Sequence, residues 1–111
     1  MVIVQKIRIK EENALAKAIK YYSVLMLLNN IHLAPMEINL LAFTALKGTI
    51  SSGGSKKQFC EIFSSSKASI GNNIHLLRKK HLLTKVEGKV RVIPPLQIDF
   101  THDLILNIKL L

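Results

Sequence analysis

The sequence predicts an α+β fold in which a helical core carries a β-hairpin near its carboxyl end. Four successive segments repeat apolar residues at helical spacing. A later segment at residues 83–93 is rich in valine and is interrupted by Glu87-Gly88, which is the pattern of a short hairpin. Because the chain has 111 residues, 49% of them hydrophobic, we expect one domain over residues 1–111 with its core at 35–93.

Residues 2–30 predict a strand and a helix that precede this core. Alternation and β-branched residues over 2–10 favour the strand. Glu11 and Glu12 open the helix, because the helix dipole favours carboxylates at a helix start. Asn29-Asn30 ends it, and Lys17 lies off its apolar stripe. The stripe consists of Leu15, Ala18, Ile19, Tyr22, Leu25 and Met26.

The first helix also has more apolar surface than one stripe needs. Tyr21, Leu27 and Leu28 widen that surface. The surplus predicts a homodimer contact; the alternative is burial within the monomer beneath the amino-terminal strand and the tail at 96–111. Residues 104–111 of this tail are apolar, and their pattern fits either a strand or the end of a helix.

The segment at residues 35–63 predicts two further helices joined by a polar loop. Pro35 suits the first turn of one helix, and Gly48 is a natural end for it. Glycine and serine dominate residues 49–55, which therefore form the loop. The next helix runs from about residue 56 to residue 63, and its apolar side is Phe59, Ile62 and Phe63.

A tight turn at Ser64-Ser65 leads into a fourth helix over about 66–80. Its narrow apolar stripe is Ile70, Ile74 and Leu77, which leaves Asn73 on a flank. The side chains that face broadly outward are Ala68, Ser69, Asn72, His75, Leu76 and Lys79.

The outward residues of this helix are suited to nucleic acid. Asparagine can pair with adenine through two hydrogen bonds in a major groove. Serine, lysine and the free N–H groups of a helix start can bind phosphate. The alternative is that Ser66 only caps the helix and that Asn72 and Asn73 are solvated surface.

The hairpin carries three cations around a Glu87-Gly88 turn, in which glycine supplies the positive φ that a tight hairpin needs. These cations are Lys85, Lys89 and Arg91, and they could bind phosphate or enter a minor groove. Val86, Val90 and Val92 are expected to pack against the core. The alternative is an ordinary hairpin with solvated cations.

Two runs of residues carry a resemblance to a known family. They are Ser66-x-x-Ser69-Ile70 and Ile74-x-x-Leu77-Arg78-Lys79-Lys80-His81-Leu82-Leu83. Together they resemble the recognition helix and the start of the wing of MarR-like winged-helix proteins, over residues 35–93. The resemblance implies a winged helix-turn-helix fold and a dimeric DNA-binding regulator whose recognition helix enters the major groove.

This sequence departs from the MarR-like pattern at several places. His81 stands where the family prefers glycine, so a histidine must adopt the left-handed conformation. The hairpin is short, and residues 104–111 do not correspond to the family's long dimerisation helix. The match is nearer to the small winged helices of phages and prokaryotes.

Positive charge is concentrated in the same part of the chain. The net charge is +9, from sixteen Lys and Arg and seven Asp and Glu. Ten of these cations and two of these acids lie between Lys47 and Arg91, which leaves +8 there and +1 elsewhere. Such a field attracts nucleic acid first and anionic lipid second.

Several classes of protein find no support in the sequence. The single Cys60 forms no disulfide within the chain, and no apolar run is long enough to span a bilayer, so we expect a cytoplasmic protein. Gly48 and Gly53 have the spacing of the two glycines in a nucleotide-binding loop, but Gly54 stands where such a loop needs lysine. The four histidines are scattered, and no nucleophile–base motif is present. We therefore expect no metal, no cofactor and no enzyme activity.

The sequence predicts a sequence-specific double-stranded DNA-binding protein, in the form of a small transcription regulator. The predicted DNA contacts are Ser65, Ser66, Lys67, Ser69, Asn72, Asn73, Lys79, Lys85, Lys89 and Arg91. An alternative is a structural or assembly protein, for example of a phage particle or a replication or packaging complex, that uses the same fold for protein contacts. Leu76 and the apolar tail favour this second hypothesis, while the low aromatic content of 5% argues against stacking on single-stranded RNA.

Overall fold

The protein, as a computed structural model, is described over residues 3–9, 13–50, 53–102 and 104–110, and these form four α-helices and two small antiparallel sheets. The elements in chain order are β1 (Ile3–Ile9), α1 (Ala14–Leu28), α2 (Pro35–Lys47), α3 (Gly53–Phe63), α4 (Lys67–Lys79), β2 (Leu83–Val86), β3 (Lys89–Val92) and β4 (Leu104–Leu110). The predicted α+β class and the order of its elements are confirmed. Glu11 and Glu12, predicted to open α1, lie outside the described residues.

Helix α2 is the centre of the core. Leu40, Leu41 and Ala42 are fully buried, and α1, α3, α4 and β3 all pack against this helix. Aromatic rings hold α3 to it: the Phe59 ring lies edge-on to that of Phe43, with centroids 5.5 Å apart and the planes at 74°. Most of the apolar surface of α2 is thus used within the monomer.

The segment after the hairpin is bound to α1. The Tyr22 hydroxyl is buried and donates to the carbonyl oxygen of Leu96. The ring of Phe100 meets those of Tyr21 and Tyr22 edge-on, at 5.7 and 5.6 Å. Lys17 is buried as well, and its ammonium donates to the His102 carbonyl at 2.9 Å. The sequence places Lys17 off the apolar stripe. Its side chain is nevertheless buried, because the His102 carbonyl oxygen accepts a hydrogen bond from its ammonium group.

Tyr22 is expected to make stability fall at alkaline pH. Burial, and to a lesser extent Tyr21, raise the pKa of Tyr22 above its usual range. The unfolded chain loses this proton near pH 10, whereas the folded chain keeps it, so the free energy of unfolding decreases above that pH. Tyr22→Phe should lose about 1–3 kcal/mol at pH 7, because the Leu96 carbonyl loses its donor, and should show a shallower alkaline decrease.

Urea unfolding at a series of pH values from neutral to about pH 11 measures both effects of the Tyr22 substitution. Tyr21→Phe is the matched control, since burial also raises the pKa of Tyr21 but its ring is only half-buried. An alkaline decrease as steep in Tyr22→Phe as in the wild type would contradict the assignment.

Three helices end in a left-handed residue that is not glycine. The three residues are Asn30 at φ 56°, Ser64 at φ 52° and His81 at φ 62°. In each case the next residue donates its N–H to the carbonyl five residues earlier, as Leu82 does to Leu77 at 3.0 Å. Only α2 ends in glycine, with Gly48 at φ 83°. The prediction that His81 takes the left-handed conformation is confirmed.

The two sheets are both two-stranded. β1 pairs with β4 in a register that runs from Ile3 opposite Leu110 to Ile9 opposite Leu104, so the tail is a strand and not a helix end. β2 pairs with β3 around Glu87 and Gly88, whose φ values of 52° and 78° are those of a type I′ turn. The predicted hairpin is confirmed, including its turn.

The hairpin register corrects the prediction for Val86. Residues directly opposite each other share a face of a sheet, and Val86 lies opposite Lys89, whereas Lys85 lies opposite Val90. Val90 and its neighbour on the same face, Val92, are buried, but Val86 is 48% exposed. The prediction that Val86 packs against the core is therefore wrong. Val86 lies on the face of the hairpin that carries Lys89, whereas Val90 and Val92 lie on the face toward the core.

Other corrections concern α3 and α4. Helix α3 begins at Gly53 and not near Lys56, so part of the predicted loop is helical. Ile62 is 54% exposed, although the sequence places it on the apolar side. Leu76 and Ser69, which the sequence places on the outward side of α4, are half-buried.

Candidate nucleic-acid interface

Helix α4 is fixed at its amino end by a serine cap. Ser66 has extended backbone angles, and its hydroxyl accepts the N–H of Ser69 at 3.1 Å. Ile70 and Leu77 are fully buried, so the opposite side of the helix faces solvent. The exposed residues on that side are Ala68, Gly71, Asn72, His75, Arg78 and Lys79.

The carboxyl end of α4 is held by Lys80. Its ammonium lies 3.0 Å from a carboxylate oxygen of Glu37 and 3.2 Å from the carbonyl oxygen of His32. Glu37 is buried, and its other carboxylate oxygen accepts the N–H of Ala34 at the start of α2. This ion pair sets the position of α4 against α2, so Lys80 is engaged within the fold.

The β2–β3 hairpin is held in place by core side chains and by a backbone hydrogen bond from Ile50. Leu83 and Val92 are buried at its base. The N–H of Ile50, which is itself fully buried, donates to the Val90 carbonyl at 3.2 Å. The segment between α2 and α3 therefore fixes the hairpin, and Lys85 extends from its core-facing side.

A groove of about 290 Å³ lies between α4, the first turns of α3 and the hairpin. Its lining consists of Lys56, Gly71, Ile74, Arg78, Lys85, Gly88 and Val90. Three of these side chains are cationic, and no acidic residue from the described part of the chain lines the groove. A Cβ placed on Gly71 would meet no atom within 4 Å, so the groove is open over this residue. We call it the cationic groove.

The predicted site residues are distributed over several surfaces. Lys67, Asn72 and Lys79 are exposed on α4, and Lys85 lines the cationic groove. Lys89 and Arg91 are exposed on the other face of the hairpin, and Arg91 borders a separate recess with Gln97 and Asp99. The remaining predicted residues are Ser65, Ser66, Ser69 and Asn73.

These four residues are placed differently from the exposed cations. Ser66 is the exposed cap already described, while Ser69 and Asn73 are half-buried on the flank of α4. The hydroxyl oxygen of Ser65 is sealed from solvent and has no hydrogen-bond partner among the described residues. Its backbone N–H donates to the Cys60 carbonyl at 3.2 Å.

Two cations of the cationic groove are absent from the sequence-predicted site. Arg78 lies seven residues after Gly71 and therefore projects from the same side of α4. The sequence alone would have allowed this grouping. Lys56 lies in the first turns of α3, and no local pattern in the sequence relates it to α4 or to the hairpin. With α3 starting at Gly53, Lys56 stands one turn before the buried Phe59 and is directed toward α4 and the hairpin.

A second recess lies on α4 itself. It is lined by His75, Arg78 and Lys79, so Arg78 contributes to both this recess and the cationic groove. The exposed side of α4 is thus polar and cationic from Asn72 to Lys79.

Comparison with known proteins finds no protein-family model, no curated protein and no solved structure that matches this chain. No helix in the described part of the chain is long and apolar enough to cross a bilayer.

Proposed function

We propose that this protein is a winged helix-turn-helix protein that binds double-stranded DNA in a sequence-specific manner. In this proposal α4 is the recognition helix and the β2–β3 hairpin is the wing. The observation that carries the proposal is the cationic groove between them, where Lys56, Arg78 and Lys85 converge without an acidic neighbour in its described lining. DNA presents about one negative charge per 1.7 Å of helix axis, so a phosphate backbone is the polyanion that fits such a groove.

The exposed side of α4 supports insertion into a major groove. The major groove of B-DNA admits one α-helix, and the solvent side of α4 carries small or polar residues near its amino end. Asn72 and His75 are exposed there and can donate to or accept from base edges. Lys79 and Arg78, one turn later, would contact phosphate. Gly71 leaves room for a phosphate strand to pass close to the helix backbone.

A small transcription regulator of phage or prokaryotic type is the function we propose for such a DNA reader. The alternative of a structural or assembly protein is less favoured by where Leu76 and the tail strand lie in the fold. Leu76 is half-buried, and the tail at Leu104–Leu110 pairs with β1. Little of Leu76 is therefore free for a partner, and on the tail strand Ile105 is 55% exposed.

Fluorescence anisotropy with a labelled random-sequence duplex of about 20 base pairs tests DNA binding. We expect binding at micromolar protein or below in low salt. The logarithm of the association constant should fall linearly with the logarithm of salt concentration, with a slope of about −2.7 or steeper for three or more phosphate contacts. Absence of binding at about 10 µM protein in 50 mM salt, where nonspecific duplex binding should be detectable, would overturn the proposal.

Selection of preferred duplexes from a random pool tests base readout. Asn72→Ala should weaken binding to the selected site by about 1–3 kcal/mol relative to random duplex. Asn107→Ala is the matched control, since it removes the same side chain from an exposed position on β4, and it should leave the discrimination unchanged. Equal discrimination between sites in the wild type and in Asn72→Ala would remove Asn72 from base readout.

A further inference from the structure

The solvent side of α4 has a centre that the buried residues of the helix define. Ile70 and Leu77 are fully buried, so the line directly opposite them points furthest from the core. An α-helix turns by about 100° per residue, and the residues that fall within about 30° of that line are all exposed. We call them the outer stripe, and they are Ala68, Asn72, His75 and Lys79.

The two flanks of the outer stripe differ from its centre. On one flank, Gly71 and Arg78 line the cationic groove, at about 70–90° from the centre of the stripe. On the other flank, Ser69 and Leu76 are half-buried. When a phosphate strand runs along the cationic groove, the outer stripe is therefore the part of α4 that meets base edges.

The first two residues of the outer stripe are short and uncharged, and they differ in chemistry. Ala68 presents one methyl group, and Asn72, one turn later, presents a carboxamide with both a donor and an acceptor. In a major groove an alanine methyl group packs against the C5-methyl group of thymine. An asparagine carboxamide forms two hydrogen bonds with N6 and N7 of adenine.

We propose that α4 reads a thymine through Ala68 and a nearby adenine through Asn72, a readout that depends on the proposed DNA-binding function. Residues one turn apart on α4 are separated by about 6 Å along the helix axis. Successive bases of one DNA strand are separated by about 3.4 Å along the DNA axis. The thymine and the adenine therefore lie at most about two base-pair steps apart, and the preferred duplex has an A·T pair at both positions.

The same chemistry disfavours G·C pairs at these two positions. Cytosine has no methyl group for Ala68 to contact. Guanine presents only acceptors, N7 and O6, in the major groove, so the donor and the acceptor of Asn72 cannot both be satisfied there. A polar group left without its partner in a contact that excludes water costs free energy, and this cost adds to the discrimination.

Removal of a single methyl group from the DNA tests the Ala68 contact. In the duplex selected from a random pool, each thymine is replaced in turn by deoxyuridine, and the affinity is measured by fluorescence anisotropy. At one position the wild type should lose about fourfold in affinity, which is the effect of losing one buried methyl group. Ala68→Gly should bind this duplex and the unmodified one equally. Deoxyuridine in place of a thymine outside the selected site is the matched control and should have no effect.

Replacement of adenine by 7-deazaadenine tests the Asn72 contact, because it removes the N7 acceptor and leaves the pairing with thymine intact. The wild type should lose at least about fivefold in affinity at one adenine of the selected site, and Asn72→Ala should be insensitive to the replacement. Each variant is the control for the other. Ala68→Gly should keep its response to 7-deazaadenine, and Asn72→Ala should keep its response to deoxyuridine.

Failure of this readout and failure of the DNA-binding function give different results. Absence of any duplex binding overturns both. Sequence-specific binding overturns the readout alone if the selected site has no thymine within about two base-pair steps of an adenine. Equal affinity of the wild type for the modified and unmodified duplexes, or variants that respond to both replacements as the wild type does, would overturn it in the same way.

Discussion

Replacing Lys56, Arg78 and Lys85 together with glutamine is expected to weaken duplex binding by about 10²–10³-fold at 0.1 M salt. Each lost phosphate contact removes about 0.9 from the slope of log K against log salt, which corresponds to roughly eightfold at this concentration. The three cations line one groove on three different elements, so in the proposed complex they would contact the same phosphate strand. We therefore expect the slope to become shallower by about 2.7.

The matched control removes the same charge away from the cationic groove. Lys6, Lys20 and Lys47 are exposed and line none of the cationic surfaces described above. Glutamine at these three positions lowers the net charge equally, so it should reduce long-range attraction only modestly. If both triple variants lose the same affinity and the same slope, net charge and not the groove determines binding.

Replacing Phe59 with alanine is expected to lower the free energy of unfolding by about 3–5 kcal/mol. Phe59 is fully buried. The centroid of its ring lies 5.5 Å from that of Phe43 and 4.7 Å from that of Phe63. Removing it opens a cavity between α2 and α3. Such a loss is a large fraction of the 5–15 kcal/mol that stabilises typical domains.

Urea unfolding followed by circular dichroism measures this loss. Ile62→Ala is the control within the same helix, and because Ile62 is 54% exposed its effect should be within about 0.5 kcal/mol. Phe59→Leu should be intermediate, since it fills part of the cavity. Equal midpoints for Phe59→Ala and Ile62→Ala would show that α3 is not held by this aromatic cluster.

The elements of the fold could be predicted from the sequence wherever local chemistry decides them. Pro35 and Gly48 bound α2 because one residue fixes φ at a helix start and the other accepts a left-handed φ at its end. The stripe of Ile70 and Leu77 fixes which side of α4 is buried. Most of its exposed polar side was predictable for the same reason.

The sequence could not predict features that depend on tertiary contacts. Lys17 is buried because the His102 carbonyl, 85 residues away, accepts its ammonium. The face of Val86 is set by its pairing with Lys89 across the turn. The tail becomes a strand only because β1 provides a partner for it.

The composition of the cationic groove was beyond sequence analysis for a similar reason. Lys56 precedes Arg78 by 22 residues in the sequence. It joins Arg78 and Lys85 only through the packing of α3 beside α4 and the hairpin. Local patterns predict Lys85 as a DNA contact but give no reason to group it with Lys56. The excess of positive charge lies between Lys47 and Arg91, and the packing of α3, α4 and the hairpin brings these three cations of that segment to one groove.

The pairing of β1 with β4 also has a consequence for the order of folding. Ile3 lies opposite Leu110, so this ladder closes a loop of about a hundred residues. Loop closure over that distance carries an entropic cost before any of its hydrogen bonds forms. The helices and the β2–β3 hairpin form through contacts between residues close in sequence, and such contacts form faster than those that close a long loop. We therefore expect the β1–β4 ribbon to form after the helices have packed together.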